Sequence, residues 1–599
     1  MRRDGAPADA GDVRRLLSRL AHRGADGERV VAVGPAALGH RRFWTTPEEV
    51  GEEQPIADAS GRYQLALDGR IDNRDELARA LDLTASEAAA RSDAALLLLV
   101  FARWGNAGFA RVVGSFAAAV WDAAERRLTL ARDALGDRTL CYALTPGAFV
   151  AASEEQALLA HPGVDDRLDE RRVAQFFAAG ALDSDATFFA SIKDVLPGHA
   201  LVVDGARCVL ERYWDDTPRP MLCLRDDREY AETFRAALAE AVKAHTRSTG
   251  PVALLLSGGL DSSSIAATAV ALAPRPALKA VSWVFDELPS CDERAWIDPV
   301  VRHCGLEPLQ FAGDGEWPLR ELASWRRNPS SPEEDLYRRL TDRAYTGARA
   351  AGARVVLSGM FGDHLYSGTP GWFWELARAG RIGAAAHGLW RELRAAGGLG
   401  HVRSALWPRR VPHAARRLLA PSASRLPWLT DRARALLGDG EGWPVRASRW
   451  LRPGQARSVL GLLGAHGVAG ETFHSSSLGV EVRYPYRDRR LVELMLRVPS
   501  DQLYRPGVTR PVLRHAMAAL LPGDVRGRVG KGSLAALFRR GVAERESETI
   551  GRLLASGRAA WEPFVRRDWV ARGWAGKRIA EIDEVVLWLC VCLGRWLDK

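Results

Sequence analysis

The stretch LLLSGGLDSSSIAAT, beginning at Leu254, constrains the fold more than any other part of this chain. Three leucines suited to a buried strand run into two glycines, an aspartate and three serines, and then into an Ala-rich helical segment. Gly258 and Gly259 let the backbone turn tightly and approach a ligand closely. The N–H groups of the turn and of the helix start then point where an oxyanion would sit. Ser257, Ser262 and Ser263 add hydroxyl donors. Asp261 cannot donate to a phosphate, so in such a loop it is expected to hold Mg²⁺ against phosphate oxygens. No Gly-Lys-Ser/Thr follows, so this is not a Walker A loop. A chance Gly-Gly turn is the bland alternative, and the strand before and helix after weigh against it.

The segment VVLSGMFGDHLYSG, from Val355, repeats the arrangement: a β run ends in Gly-rich turns around Asp363. Ser358 and Gly359 fall at one strand's carboxyl end and Asp261 just after another's, and in open α/β sheets those ends share a ligand crevice. Two acids there suit a metal–triphosphate, although either alone could cap a helix. Lys531, between glycines in RGRVGKGSLAALF, reads on its own as surface decoration.

At 599 residues the chain is expected to hold two or more domains. Residues 1–215 alternate short β runs with Gly and Asp turns (RVVAVGPAALGH, YQLALDG, RLTLARD, FVAAS, HALVVDGARCVLERYW), which predicts a layered, largely antiparallel β domain carrying a few helices. TPRPMLCLRDDRE, around 216–228, reads as a linker. From 229 to 599 the pattern changes. An amphipathic helix, YAETFRAALAEAVKAHTR, precedes the short apolar runs VALLL, LKAVSWVF and ARVVLSG, separated by helical stretches, as in a parallel α/β sheet. Beyond Gly371 the chain reads as mostly helical.

The net charge of +9 is unevenly placed. Residues 371–470 hold sixteen Arg, no Lys and five acids, an excess of +11, which leaves about −2 for the rest of the chain. Trp372, Trp374, Trp390, Trp407, Trp428, Trp443 and Trp450 lie in the same window. It is either a solvated helical layer over a Trp core or a docking face for an acidic or extended partner. No nucleic-acid module accompanies it. No apolar run is long enough to cross a bilayer, and the basic N-terminus lacks the apolar core of a secretory signal. Seven scattered cysteines without a C-x-x-C pair fit reduced thiols and predict a cytoplasmic location.

Taken together these segments resemble the asparagine-synthetase superfamily over nearly the whole chain. LAHRGADGERV, LGHRRFW, GSFAAAVWD, ARDALGD, ASEEQALLAHPGV and VLPGH are similar, in order, to its N-terminal glutaminase domain of the Ntn-hydrolase type. LLLSGGLDSSS resembles its pyrophosphate loop, SGMFGDHLYSG its second nucleotide segment, and SLGVEVRYPYRDRRLVELML a helical segment near its active site. RVGKGSL resembles the loop whose lysine stabilises the transition state at phosphorus, which raises Lys531 to a catalytic candidate.

Departures narrow what the resemblance implies. Family glutaminases use a Cys directly after Met; here Arg2 stands in that place and no Cys appears before Cys141. Asp68 and Arg70 replace the glutamine-binding Asn and Glu, while Gly69 and Asp93 persist. Amide cleavage needs an activated nucleophile, so the N-terminal half is expected to be an inactive scaffold. Met360 stands where asparagine synthetases have a Glu and β-lactam synthetases the Tyr of a base dyad. A free α-amine, with a pKa near ~7.7, needs less help from a base.

The branch of the superfamily that matches these departures is the lasso-peptide cyclase. The resemblance implies an ATP- and Mg²⁺-dependent macrolactam synthetase that adenylates an Asp or Glu side chain of a core peptide and closes an isopeptide bond with the peptide's N-terminal amine. Asp261 and Asp363 would bind metal, Ser257, Gly258, Gly259, Ser262 and Ser263 phosphate, and Leu255, Phe285, Ser358 and Gly359 the nucleoside. Lys531 would offset charge on the α-phosphate. Asp292 and Glu293 fall either near the substrate or at a solvated helix start. Partners implied are the precursor peptide, a leader-peptide protease and a leader-recognition protein. The alternatives are a small-molecule amide or β-lactam synthetase, an ammonia-dependent asparagine-synthetase-like enzyme, and a regulator that only binds ATP.

Overall fold

The computed structural model describes residues 1–178, 185–205, 207–215, 219–366, 368, 373, 376–377, 380–394, 426–438, 466–505, 507–530, 532–575 and 581–598. Lys531 and most of the Arg- and Trp-rich window 371–470 therefore lie outside the described residues.

The N-terminal half is built on a six-stranded antiparallel sheet, in the order Arg207–Arg212, His199–Asp204, Arg127–Arg132, Gly114–Asp122, Tyr63–Ile71, Ile56–Ala57. Its strands are apolar on both faces. In Gly114–Asp122, Phe116, Ala118 and Val120 pack on one side with the helix Asp93–Trp104, while Ala117 and Trp121 pack on the other with Leu38, Phe149 and Val195. A period of two that buries both parities makes a layered domain. A three-stranded sheet of Phe149–Ala152, Cys141–Leu144 and Ile192–Asp194 lies across the second face.

The C-terminal half holds a five-stranded parallel sheet: β1 (Val252–Leu255), β2 (Leu278–Val284), β3 (Glu307–Ala312), β4 (Val355–Leu357) and β5 (Glu481–Arg483), in spatial order β3-β2-β1-β4-β5. The chain winds outward from β1 to β3 and then crosses back to β4, so the strand order reverses between β1 and β4. That is where open parallel sheets place their ligands. Phe234 and Leu238 of the helix Asp227–His245 and Ile265 of the helix Leu260–Val270 pack on Val252, Leu254 and Val355. Ala344, Tyr345 and Ala348 of the helix Arg338–Ala350 cover Ala253, Val281 and Val356 on the opposite face.

Two strands depart from expectation. EPLQFA forms the edge strand β3, half exposed and carrying Pro308, so it shows no continuous apolar run. EVR, inside a segment expected to be helical, forms β5, because Val355–Leu357 offers an open parallel edge that pairs Val482 with Val356. The helix after the linker begins at Asp227, where the Asp226 side chain accepts from the Glu229 N–H at 3.0 Å.

The halves meet along an arginine seam. Buried Arg483 donates to the His245 carbonyl at 3.0 Å and to Thr45 Oγ1 at 2.9 Å. Arg354 donates to Asp26 Oδ1 at 2.7 Å, and Arg487 pairs with Asp137 while donating to the Leu135 carbonyl at 2.7 Å. In R-Y-P-Y-R, residues 483–487, both arginines reach residues of the N-terminal half, and the tyrosines face the C-terminal half, where Tyr484 lines a cavity and the Tyr486 hydroxyl donates to the Asp261 carbonyl at 3.0 Å. Among the described residues no helix is long and apolar enough to cross a membrane.

Candidate active site

The loop after β1 folds as its composition requires. Gly258 has φ +65°, and a Cβ there would come within 2.5 Å of Trp296 Cβ. Gly259 begins the helix Leu260–Val270. The Gly259 N–H reaches the Ser257 Oγ at 3.4 Å, and the Ser262 Oγ lies 3.3 Å from both the Ser257 Oγ and the Gly259 carbonyl. Gly359, after β4, sits against this helix start, with its Cβ position 2.9 Å from the Ser262 nitrogen. Gly359 is thus demanded by the close approach of two loops at the strand-order reversal, and Gly258 by its positive φ and by Trp296 packed against it.

Around them opens a cavity of about 660 Å³. Leu255, Ser257, Gly259, Asp261, Ser262, Phe285, Ser358, Gly359 and Asp363 all line it, which brings most of the sequence-derived candidates to one place. Ser263 does not join them: it is fully buried in the helix and is not part of the cavity lining. Lys531 lies outside the described residues, while Gly530 and Gly532 on either side of its place line the cavity wall.

Asp261 and Asp363 converge on one guanidinium. Arg510 Nη1 lies 2.8 and 2.9 Å from the two carboxylate oxygens of Asp261, and its Nη2 pairs with Asp363. The Tyr366 hydroxyl donates to Asp261 Oδ1 at 2.7 Å. Burial raises the Asp261 carboxyl above its ordinary range, with Arg510 and Tyr366 opposing that shift. Two carboxylates that already share a cation, beside hydroxyl and N–H donors suited to phosphate, form a donor set that fits Mg²⁺.

Glu293 holds the loop on the opposite wall. Its Oε1 accepts from Arg528 Nη2 and from the Gly532 N–H at 3.2 Å, and Arg528 stacks 4.8 Å over Trp296, the residue that packs on Gly258. Asp292 turns away from the cavity, accepting from the Phe285 N–H at 3.0 Å and pairing with Arg294.

The cavity lining also includes two residues that carry no sequence motif. Tyr345, on the helix Arg338–Ala350, donates its hydroxyl to Glu471 Oε1, on the helix His466–Ser477. Removal from water, together with nearby Asp335 and Asp342, raises the Glu471 carboxyl to about 7, and burial pushes the Tyr345 phenol well up. Asp335, Thr341 and Tyr484 line the same cavity, as does Met360, which is 54% exposed. Neither Tyr345 nor Glu471 sits in a glycine-marked motif, and 126 positions separate them. Only the packing of two helices brings them together.

In the N-terminal half, the residues at the family's glutaminase positions are occupied by ion pairs. Arg23 holds Asp68 at 2.6 Å, Arg70 holds Asp72 at 2.9 Å, and Asp93 accepts from the Ile71 N–H at 2.8 Å while pairing with Arg74 and Arg247. The Arg2 side chain turns to Asp4, at 3.2 Å from Nε to Oδ1. Cys141 is buried, with its thiol pushed well above the usual thiol range, which keeps it from serving as a nucleophile.

A glutamine amidotransferase domain model matches residues 4–214, and an asparagine synthase model matches residues 233–597. The chain is 30% identical over 257 residues to asparagine synthetase [glutamine-hydrolyzing] 3 of Bacillus subtilis, covering 43% of this chain and 42% of that protein. It is 26% identical over 373 residues to the amidase chyE of Penicillium rubens, covering 59% and 54%. It is 27% identical over 277 residues to asparagine synthetase [glutamine-hydrolyzing] 1 of B. subtilis, covering 46% and 43%. The chain spans about half the length of the curated relatives it matches. With the synthase match running over more than half of its residues, around the β1 and β4 loops and the cavity between them, this chain belongs to the asparagine synthase family.

Proposed function

We propose that this protein is an ATP-dependent amide-forming ligase that adenylates a carboxylate and transfers the acyl group to an amine, and that its substrate is a peptide closed into a macrolactam. The observation that carries the reading is one cavity lined both by the Ser257–Ser262 loop, Asp261, Asp363, Arg528, Gly530 and Gly532 and by Glu471 with its partner Tyr345. The family's asparagine synthetases support the amide-forming chemistry.

In the first half-reaction the substrate carboxylate attacks the α-phosphorus of ATP, the bond to the β-phosphate breaks, and pyrophosphate leaves. The N–H and hydroxyl donors of Ser257, Gly259 and Ser262 bind the departing phosphates. Asp261 and Asp363 would hold Mg²⁺, whose charge offsets that of the pyrophosphate. Arg528 and Arg514, which line the cavity, and Lys531 add positive charge toward the α-phosphate. In the second, the amine nitrogen attacks the acyl carbon and AMP leaves. Glu471, poised near 7, takes the proton that the attacking ammonium must lose, and Tyr345 holds that carboxylate in place. The acidic groups Asp335 and Glu471 would attract an amine substrate in its ammonium form, which gives up a proton to Glu471 before its nitrogen attacks.

The peptide reading is supported by the departures at Asp68, Arg70 and Met360, which resemble the lasso-peptide cyclase branch, with Asp68 and Arg70 already engaged in ion pairs. The test is exchange of labelled pyrophosphate into ATP with candidate precursor peptides, followed by mass spectrometry for a product one water lighter than the peptide. Exchange driven by aspartate or a small carboxylate, with no dehydrated peptide, would sink the peptide reading while leaving the ligase reading standing.

A further inference from the structure

The two carboxylates assigned to the metal already have a cationic partner, and it comes from a rigid base. Arg510 adopts φ +56°, a left-handed conformation uncommon outside glycine, and directly precedes Pro511 and the helix Pro511–Ala516. Its N–H donates to the Leu503 carbonyl at 2.8 Å, and its carbonyl accepts from the Arg514 N–H at 3.1 Å. The backbone is therefore pinned on both sides, and the side chain is delivered between Asp261 and Asp363. Arg510 and Asp261 are each 13% exposed at the side chain, so their charges meet largely out of water, where a paired guanidinium is strong and specific. The guanidinium also lies over the Tyr366 ring, 5.6 Å from Cζ to the centroid, and Tyr366 itself donates to Asp261.

We propose that Arg510 is a gating residue for the metal: it and the divalent cation compete for the same pair of carboxylates, and ATP resolves the competition by offering the guanidinium its phosphates instead. This rests on the reading of Asp261 and Asp363 as metal ligands. Before nucleotide arrives, Arg510 holds the two acids on one guanidinium and offsets their mutual repulsion. When nucleotide binds, the guanidinium exchanges carboxylate oxygens for phosphate oxygens and the divalent cation takes its place. Metal and nucleotide then enter as a coupled pair, and free enzyme does not accumulate a tightly held ion. Coupling of this kind spans about 5–150-fold in affinity.

The experiment is Mn²⁺ binding, followed by electron paramagnetic resonance of the free ion, in wild type, Arg510→Met and Arg510→Lys, without nucleotide and with α,β-methylene-ATP. Gating requires that Arg510→Met bind Mn²⁺ at least about tenfold more tightly than wild type without nucleotide. It also requires the analogue to raise Mn²⁺ affinity far more in wild type than in Arg510→Met, with Arg510→Lys between them. Equal nucleotide-free affinities, or weaker binding in Arg510→Met, would overturn the gate. Adding Asp261→Asn or Asp363→Asn separates the two readings. Undiminished Mn²⁺ binding in those double variants removes the metal site itself, whereas lost binding with no effect of Arg510 removes only the gate. If Arg510→Met proves unstable, Arg510→Lys and the size of the wild-type response to the analogue carry the same decision.

Discussion

Tyr345 and Glu471 meet between two helices in the cavity wall, the phenol donating to the carboxylate. Glu471 is raised to about 7 against an ordinary 4.5, so it is protonated at pH 6 and becomes a base as the pH climbs through 7. Amide formation should therefore rise through that pH and level off above it. Glu471→Gln should cost about 10²–10⁴-fold in the overall reaction while sparing pyrophosphate exchange. Tyr345 donates to the charged form and so lowers this pKa; Tyr345→Phe should move the inflection upward. A pH–rate profile of single-turnover amide formation reads all three. The same shift makes the fold bind more protons than the unfolded chain between about 4.5 and 7, so Glu471 costs stability as the pH rises through that window. Glu471→Gln should flatten this slope in a melting series.

Asp261→Asn and Asp363→Asn should each abolish Mg²⁺-dependent pyrophosphate exchange, with melting temperatures near wild type. Both side chains lie at a cavity wall, where an amide of the same shape can be accommodated. Exchange at wild-type rate in either variant would remove that residue from the metal site.

Glu293 is expected to act by positioning. It ties the Gly532 N–H and Arg528, on the loop that flanks Lys531, to the start of the helix Arg294–Cys304. Glu293→Ala should lower the rate of adenylation by about 10–100-fold with a smaller change in ATP affinity, as expected when a transition-state group is misplaced. Stopped-flow adenylation set against equilibrium nucleotide binding separates the two.

Glutamine should not be hydrolysed, and Arg2→Cys alone should not confer hydrolysis. Asp68 and Arg70 are engaged by Arg23 and Asp72, so a restored thiol would find no glutamine-binding groups free. Glutamate release above a protein-free blank, measured on wild type and on the variant, tests this directly.

Arg483 spans the seam between the halves with its side chain out of water. Arg483→Met should destabilise the protein by about 3 kcal/mol, because it leaves the carbonyls of His245 and Arg247 buried without this donor and weakens the ion cluster around Glu481. Denaturant unfolding followed by Trp fluorescence measures it. An unchanged midpoint would mean that the halves do not depend on this arginine.

The β1 loop could be read from sequence because its constraints are local. A close turn needs glycine, an oxyanion cradle needs N–H and hydroxyl donors, and both needs fall within a few consecutive residues, Ser257 to Ser262. The same holds for Ser358–Asp363, a segment that lines the cavity with that loop. Ser263 shows the limit of that reading: its residue type fits phosphate binding, but one further residue of helix rotation turns it into the core. Strand β5 was hidden because pairing, not propensity, makes E-V-R extended, and the partner Val355–Leu357 lies more than a hundred residues away. Arg510 and the Tyr345–Glu471 pair were hidden for a related reason, whereas Asp292 and Glu293 were both candidates from the sequence and only the fold told them apart. Charged or phenolic side chains are common at helix ends and surfaces, and their types carry no mark of function until a fold sets an acid beside an acid or removes it from water. Sequence alone determined which chemistry the backbone loops can host. Tertiary packing decided which side chains surround that chemistry, because electrostatic environment depends on distance in space and not along the chain.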